Sequence, residues 1–339
     1  MPRPVGYAGI RVPEDCPATD RGGVIPRGSF SNFRLLNGAL AVRTAAMTSY
    51  QSECVYGGGA VLAEGPVWDE VSQRYYWIDI ERGRICRFDP RSRSNQEWIL
   101  GIRLGFAVLT ESGDLLAGTQ DGLLRFSCEN GQATPYANPE PDLPNNRFND
   151  GKCDPQGRLW GGTMSIDESE TKGTLYRIGS ASDISPQHGP VSISNGLAWS
   201  SDSRRMYYID SPTRRVDAFD YDPEKGSISH HRTAFELAEG MGYPDGMTID
   251  AEDNVWVALW EGWGVGCFDP RSGEMLAKVE VPVARVTSCC FGGPELKDLM
   301  ITTASRDLSE AERVQQPEAG GLFIARPGVT GTPSIRFKG

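Results

Sequence analysis

Short apolar runs with a period near two, cut by turn residues, organise this chain; stripes of helical period are nearly absent. Tyr75-Tyr76-Trp77-Ile78-Asp79, Arg84-Ile85-Cys86-Arg87-Phe88, Asp114-Leu115-Leu116-Ala117-Gly118 and Arg158-Leu159-Trp160-Gly161-Gly162 read as strands. The same vocabulary returns in Arg205-Met206-Tyr207-Tyr208-Ile209-Asp210, Asn254-Val255-Trp256-Val257-Ala258 and Gly266-Cys267-Phe268-Asp269-Pro270. Ser309 to Val314 alone has room for a turn or so of helix. The runs recur in a fixed order: an inner run opening on a small residue, a Gly- or Asp-containing turn, then an aromatic strand. Inner runs begin near Gly65, Gly105, Gly151, Gly196, Gly246 and Ser288, a repeat of roughly 40 to 50 residues. Six units of three or four antiparallel strands predict an all-β, six-bladed β-propeller. The strand period excludes helical solenoids, and the missing helices exclude βαβ folds.

Such a ring commonly closes by pairing a strand from one terminus with the last blade, which removes exposed edges. Gln51 to Tyr56 precedes the first inner run and is the expected closing strand. Residues 1–46 are rich in Gly, Pro and Arg and have no place in the repeat. They are expected to form a flexible extension, with the propeller domain at 47–339.

Composition narrows the partners. A net charge of −11 argues against nucleic acid or an anionic membrane as the partner. Eight cysteines include no CxxC pair, so free thiols in a reducing compartment are expected. No apolar run approaches the roughly 18 residues of a membrane span, and the N-terminus lacks the apolar core of a signal peptide. A cytoplasmic protein is expected, and a monomer, since a closed acidic ring needs no partner for stability. Three histidines cannot supply a multi-histidine zinc centre.

Four segments place a polar oxygen side chain before a glycine and an apolar run: Ala63-Glu64-Gly65-Pro66, Phe148-Asn149-Asp150-Gly151, Ser194-Asn195-Gly196-Leu197 and Pro244-Asp245-Gly246-Met247. Asp and Asn before Gly are ordinary turn formers, and any one segment alone is structural. Equivalent positions of successive blades, however, face one axis. Glu, Asn and Asp oxygens converging there are what a hard divalent cation needs. Other features carry less. Gly262-Trp263-Gly264-Val265-Gly266 lacks the βαβ surroundings of a phosphate loop and reads as a β-turn. His230-His231 lies in a polar run, and Cys289-Cys290 falls on alternate faces of an inner strand.

In these motifs the chain resembles the senescence marker protein/gluconolactonase (regucalcin-like) family of sugar lactonases. The likeness covers roughly residues 50–339. It rests on Glu64-Gly-Pro-Val-Trp68, Arg147-Phe-Asn149-Asp-Gly-Lys-Cys-Asp-Pro, Gly162-Thr-Met164, Ile193-Ser-Asn195-Gly-Leu197, Tyr207-Tyr-Ile-Asp-Ser211, Pro244-Asp245-Gly-Met247, Thr287-Ser-Cys-Cys-Phe-Gly-Gly293 and Gln316-Pro-Glu-Ala-Gly-Gly-Leu322. The resemblance implies a six-bladed propeller with a central metal site. It implies Glu64, Asn195 and Asp245 as metal ligands, and Arg147 and Asn149 as the substrate-contacting pair. It also implies an acidic residue after Gly-Thr-Met that holds sugar hydroxyls, for which Asp167 is the nearest equivalent.

The implied substrate is a small sugar lactone, opened to its aldonic acid. One divalent metal ion is implied, and an all-oxygen set favours Ca²⁺, Mg²⁺ or Mn²⁺ while Zn²⁺ and Fe²⁺ also accept carboxylates. Asp245, with one oxygen on metal and one free, is the expected general base. Two alternatives share these residues: a promiscuous esterase or organophosphate hydrolase, and a non-catalytic calcium-binding protein.

Overall fold

The computed structural model describes residues 47–339; the proposed extension at 1–46 lies outside the described residues. Two short strands come first, β1 (Thr48–Gln51) and β2 (Glu53–Tyr56). Blade 1 follows as β3–β6 (Ala63–Asp69, Arg74–Asp79, Arg84–Asp89, Ser94–Ile99). Blade 2 is β7–β10 (Leu104–Leu109, Leu115–Thr119, Gly122–Phe126, Ala133–Ala137). Blade 3 is β11–β14 (Asn146–Cys153, Leu159–Ser165, Gly173–Ser180, Asp183–Val191), and blade 4 is β15–β18 (Ser194–Trp199, Arg205–Asp210, Arg215–Asp222, Ser227–Glu236). Blade 5 is β19–β22 (Tyr243–Ile249, Val255–Trp260, Gly264–Phe268, Met275–Glu280). Blade 6 is β23–β25 (Val286–Gly292, Asp298–Thr303, Leu322–Ala325).

Each blade is an antiparallel meander. The first strands of the six blades pack side by side in sequence, and β23 of blade 6 returns to β3 of blade 1, so the ring closes. Six apolar clusters fill the six gaps between neighbouring blades. Ile78, Leu104 and Phe126 fill the gap between blades 1 and 2, for example, and Trp160, Leu197 and Tyr208 that between 3 and 4. The core is therefore a ring of interblade layers, and each blade is buried on both faces. That is why the second strands read as continuous aromatic runs: Tyr75, Trp77, Trp160, Tyr208 and Trp256 are all nearly fully buried. The turns before the Trp160 and Trp256 strands are each anchored by an aspartate. Asp154 accepts from the Trp160 indole (3.0 Å), and Asp250 accepts from that of Trp256 (2.9 Å).

The closing segment differs from the single strand expected. β1 adds in parallel to the outer edge of blade 5, pairing Thr48 with Ala277, whereas β2 adds antiparallel to blade 6, pairing Glu53 with Ile324. One nine-residue stretch thus caps two adjacent edges, and Ser52 between them donates to Glu280 O at 2.8 Å. The short helix also forms: α1 (Glu310–Gln315) starts on a capping box between Ser309 and Glu312. Cys289 and Cys290 face opposite interblade layers, and all seven cysteines among the described residues are free thiols. Gly264 opens β21 after a tight turn, so the glycine-rich run is a hairpin. No helix among the described residues is long and apolar enough to cross a membrane.

Candidate functional site

All six inner strands share an irregularity at the same height. Pairing with the second strand slips between Glu64 and Val67, Leu104 and Phe106, Phe148 and Gly151, Asn195 and Leu197, Pro244 and Met247, and Val286 and Ser288. A bulge leaves an extra residue unpaired and re-aims its side chain. In blades 3 and 5 Asn149 and Asp245 are among the unpaired residues, and in blades 1 and 4 Glu64 and Asn195 are the last paired residues before the slip, opposite Ile78 and Ile209, so all four polar side chains sit at the bulges. The bulges lie near the start of each inner strand, at the end of the ring called the mouth below. Glycine makes the arrangement possible. A Cβ on Gly196 would lie 2.8 Å from Asp245 O, so only glycine lets β15 approach the neighbouring bulge this closely.

Hydrogen bonds knit the polar residues of blades 3, 4 and 5 into one chain. Arg147 Nη1 donates to Asn149 Oδ1 (2.7 Å), and Asn149 Nδ2 donates to Asn195 Oδ1 (2.9 Å) and to Ser194 O (2.8 Å). Asn195 Nδ2 donates to Ser211 Oγ (2.8 Å), whose hydroxyl donates to Pro244 O (2.6 Å), next to Asp245. Both amides are thereby oriented, and Ser211 ties Asn195 to the residue before Asp245. Arg147, Asn149 and Asn195 are all buried.

Glu64 and Asp245 stand apart from this network. Each is 8% exposed. Glu64 Oε2 accepts from Gly65 N at 2.8 Å, and no ion pair to either carboxylate forms among the described residues. Burial pushes Glu64 up to about 8, with the Asp150 charge adding to the shift. Burial also raises Asp245 well above the usual carboxylate range, and the charges of Glu64 and Asp150 raise it further. Two desolvated carboxylates of like charge are unfavourable unless a proton or a cation joins them. The donor set fits a divalent ion on that ground: two carboxylates without an ion-pair partner beside the oriented Asn195 amide. The set is mixed, since no group of three His, Cys, Asp or Glu side chains suited to a metal occurs among the described residues.

The consequence for stability has a definite sign. Glu64 has its ordinary 4.5 when exposed and about 8 when folded, so the folded state holds more protons across that window. The stability that this group contributes to metal-free protein is therefore full below 4.5 and is lost as pH rises through 8. By calorimetry, Tm of stripped protein should fall between pH 5 and 8. Glu64→Gln or added divalent ion should flatten that slope; an equal slope in wild type and Glu64→Gln would refute this.

Asp150, Glu168 and Ser211 were not singled out by the sequence. Asp150 is buried beneath the carboxylates, its carboxyl accepting from Gly151 N at 2.6 Å. The signal for it was its adjacency to Asn149 in the same motif. Beneath it, Lys152 Nζ donates to Met247 O (2.6 Å), facing an axial cavity of about 230 Å³ floored by Thr332-Pro333-Ser334-Ile335. The structure does not bring Asp167 into the network. It is exposed and accepts from Ser165 Oγ and Ser169 N, bonds that hold it down to about 2. The next residue, Glu168, is the strongest charge opposing the burial that lowers Arg147 to about 10.

Known proteins resemble this chain in sequence and fold. A sequence model of the SMP-30/Gluconolactonase/LRE-like region matches residues 62–305. Regucalcin of Xenopus laevis is 36% identical over 299 residues, spanning 86% of this chain and all of regucalcin. The putative sugar lactone lactonase YvrE of Bacillus subtilis (strain 168) is 37% identical over 280 residues, covering 83% of this chain and 96% of YvrE. The crystal structure of a calcium-binding regucalcin from Agrobacterium tumefaciens superposes with a TM-score of 0.82 at 26% identity, over 86% of this chain and 99% of that one. With the match spanning most of the propeller and the six-bladed ring in common, the chain belongs to the SMP-30/gluconolactonase/LRE-like family.

Proposed function

We propose that this protein is a divalent-metal-dependent sugar lactonase that hydrolyses an aldonolactone to its aldonic acid. The observation that carries the proposal is the pair of buried carboxylates, Glu64 and Asp245, facing each other's charge beside Asn195. The family membership and the lactonase named among its relatives support the reaction class. Glu64, Asp245 and the Asn195 amide oxygen would hold the ion. Bound there, a divalent cation supplies positive charge opposite the carbonyl oxygen and keeps the carboxylates ionised.

The chain's own residues do the rest. Asp245 takes a proton from the attacking water as its oxygen bonds to the lactone carbonyl carbon. The tetrahedral adduct collapses with cleavage of the ring C–O bond, and the departing alkoxide receives that proton back from Asp245. The product is a hydroxy acid that ionises at neutral pH, releasing one proton per turnover. Arg147, held by Asn149, presents its remaining N–H donors to ring oxygens, for which its planar fork is suited.

A pH-indicator assay on metal-stripped protein tests this. Restored turnover of an aldonolactone by at least one of Ca²⁺, Mg²⁺, Mn²⁺, Zn²⁺ or Fe²⁺, above the spontaneous rate, is the expected result. Folded, metal-loaded protein that turns over no sugar lactone would overturn it. The calcium-binding description of the Agrobacterium relative would then favour an ion-binding role.

A further inference from the structure

Another cavity opens on the mouth side, between blades 2 and 3. Its volume is about 330 Å³, and Arg147 lines it together with Gln120, Asp121, Asn138 and Leu143. Gln120 and Asp121 form the two-residue turn between β8 and β9, where Thr119 pairs with Gly122 and with Leu104 at the start of β7. The backbone of that turn is held. Asp121 N donates to Thr119 Oγ1 (3.0 Å), and Gln120 N donates to Arg103 O (3.1 Å). Both side chains are exposed. Another wall is the loop between β10 and β11, residues 138–145, whose three prolines fix its backbone. Glu140 pins this loop to blade 3: its carboxylate accepts from Thr163 Oγ1 (2.9 Å), Asn146 Nδ2 (3.0 Å) and Tyr176 OH (3.0 Å). A wall fixed in advance spares a ligand the entropy cost of ordering it.

We propose that this cavity is a subsite for the hydroxylated exocyclic tail of the lactone, with Gln120 and Asp121 as its specificity-determining residues. This deepens the lactonase function proposed above and rests on it. Arg147 has Nη1 committed within the protein, to Phe148 O (3.0 Å) and Asn149 Oδ1 (2.7 Å). The residue is only 5% exposed, and the rest of its guanidinium is reached through the cavity it lines. A lactone ring held by Arg147 therefore has its tail beside the β8–β9 turn. There the Asp121 carboxylate accepts from tail O–H groups, a charge-assisted bond stronger than a neutral one. The Gln120 amide both donates and accepts, and Leu143 offers an apolar surface to the C–H groups. A site built to bond a hydroxyl rejects an analogue that lacks it. Blade 2 has none of the four oxygen-before-glycine segments, so the sequence pattern gave no sign of the pair.

The test compares galactono-γ-lactone, which carries a dihydroxyethyl tail, with γ-butyrolactone, the same ring without it, on metal-loaded protein. Asp121→Asn and Gln120→Ala should each lower the ratio of the two kcat/KM values about fivefold, the size of one lost hydrogen bond. The loss should fall on KM for the galactonolactone with kcat retained, as for binding remote from the reacting carbonyl. Leu143→Trp adds bulk at a loop position that is 42% exposed and should raise the same KM. Circular dichroism melting of each variant separates unfolding from lost recognition. Parallel losses on both lactones, or an unchanged ratio in all three variants, would overturn the subsite. Wild type that hydrolyses neither lactone would defeat the lactonase function itself, and the subsite with it, an outcome distinct from these.

Discussion

Asp245→Asn is expected to lower kcat for lactone hydrolysis by about 10²–10⁴-fold, the usual contribution of a positioned general base. Asparagine keeps the size of the side chain and an oxygen donor, but it cannot take a proton from water. The pocket around it would change little: Pro244 O still accepts from Ser211, and the bulge between Pro244 and Met247 is a backbone feature. Removing one of two like charges relieves Glu64, whose carboxyl should then titrate closer to its ordinary value. The metal-free variant should therefore be at least as thermally stable as wild type at pH 8, although inactive. Assay at saturating metal, with Tm followed against metal concentration, separates lost basicity from lost affinity. Activity above about one tenth of wild type, well inside the range a lost base should exceed, would remove Asp245 from the role of base.

A large effect on stability is expected at Gly105, in a blade that contributes no polar ligand. A Cβ there would lie 2.3 Å from Phe148 O, 2.5 Å from Phe148 C and 2.6 Å from Asn149 O. All three atoms are backbone, so no side-chain rotation relieves the overlap. Gly105→Ala must push β7 away from the bulge that carries Asn149. Overpacking of this kind costs about 1–3 kcal/mol, which corresponds to a Tm lower by about 2–5 °C in a domain of this size. Because the displaced carbonyls flank Asn149, affinity for substrate should fall as well. Gly57, with nothing within 4 Å of its Cβ position, supplies the control; alanine there should change stability by less than about 0.5 kcal/mol. Thermal melts of the two variants that coincide would refute the close-approach account.

The sequence displayed the repeat because each inner run must fit between two neighbours at the axis, which restricts it to small residues, and each second strand is buried on both faces. Gly65, Gly151, Gly196 and Gly246 therefore marked the inner strands, and the Tyr/Trp runs marked the second strands. What positions the polar residues was hidden. A bulge is a mismatch between two strands, and nothing in Asn195-Gly196-Leu197 alone states how many residues oppose it. The split of the closing segment was hidden for a similar reason, since β1 and β2 take their partners from strands more than two hundred residues away. Asp167 and Glu168 show the same limit at one position. Their identities differ by a methylene, and the turn, rather than the composition, decides which of them reaches Arg306. Ser211 lay in plain view within the Tyr-Tyr-Ile-Asp-Ser motif, but its partners come from two different blades.

The placement of β2 also sets a timetable for the nascent chain. Glu53–Tyr56 leaves the ribosome well before its pairing partner Leu322–Ala325 is made. Blades 1 to 4 can form from local hairpins while that strand waits unmatched. The joining of β2 to β25 is the most non-local strand pairing among the described residues, and contacts of that kind form slowly. Until Leu322–Ala325 arrives, β2 therefore stays an unpaired strand open to other edges.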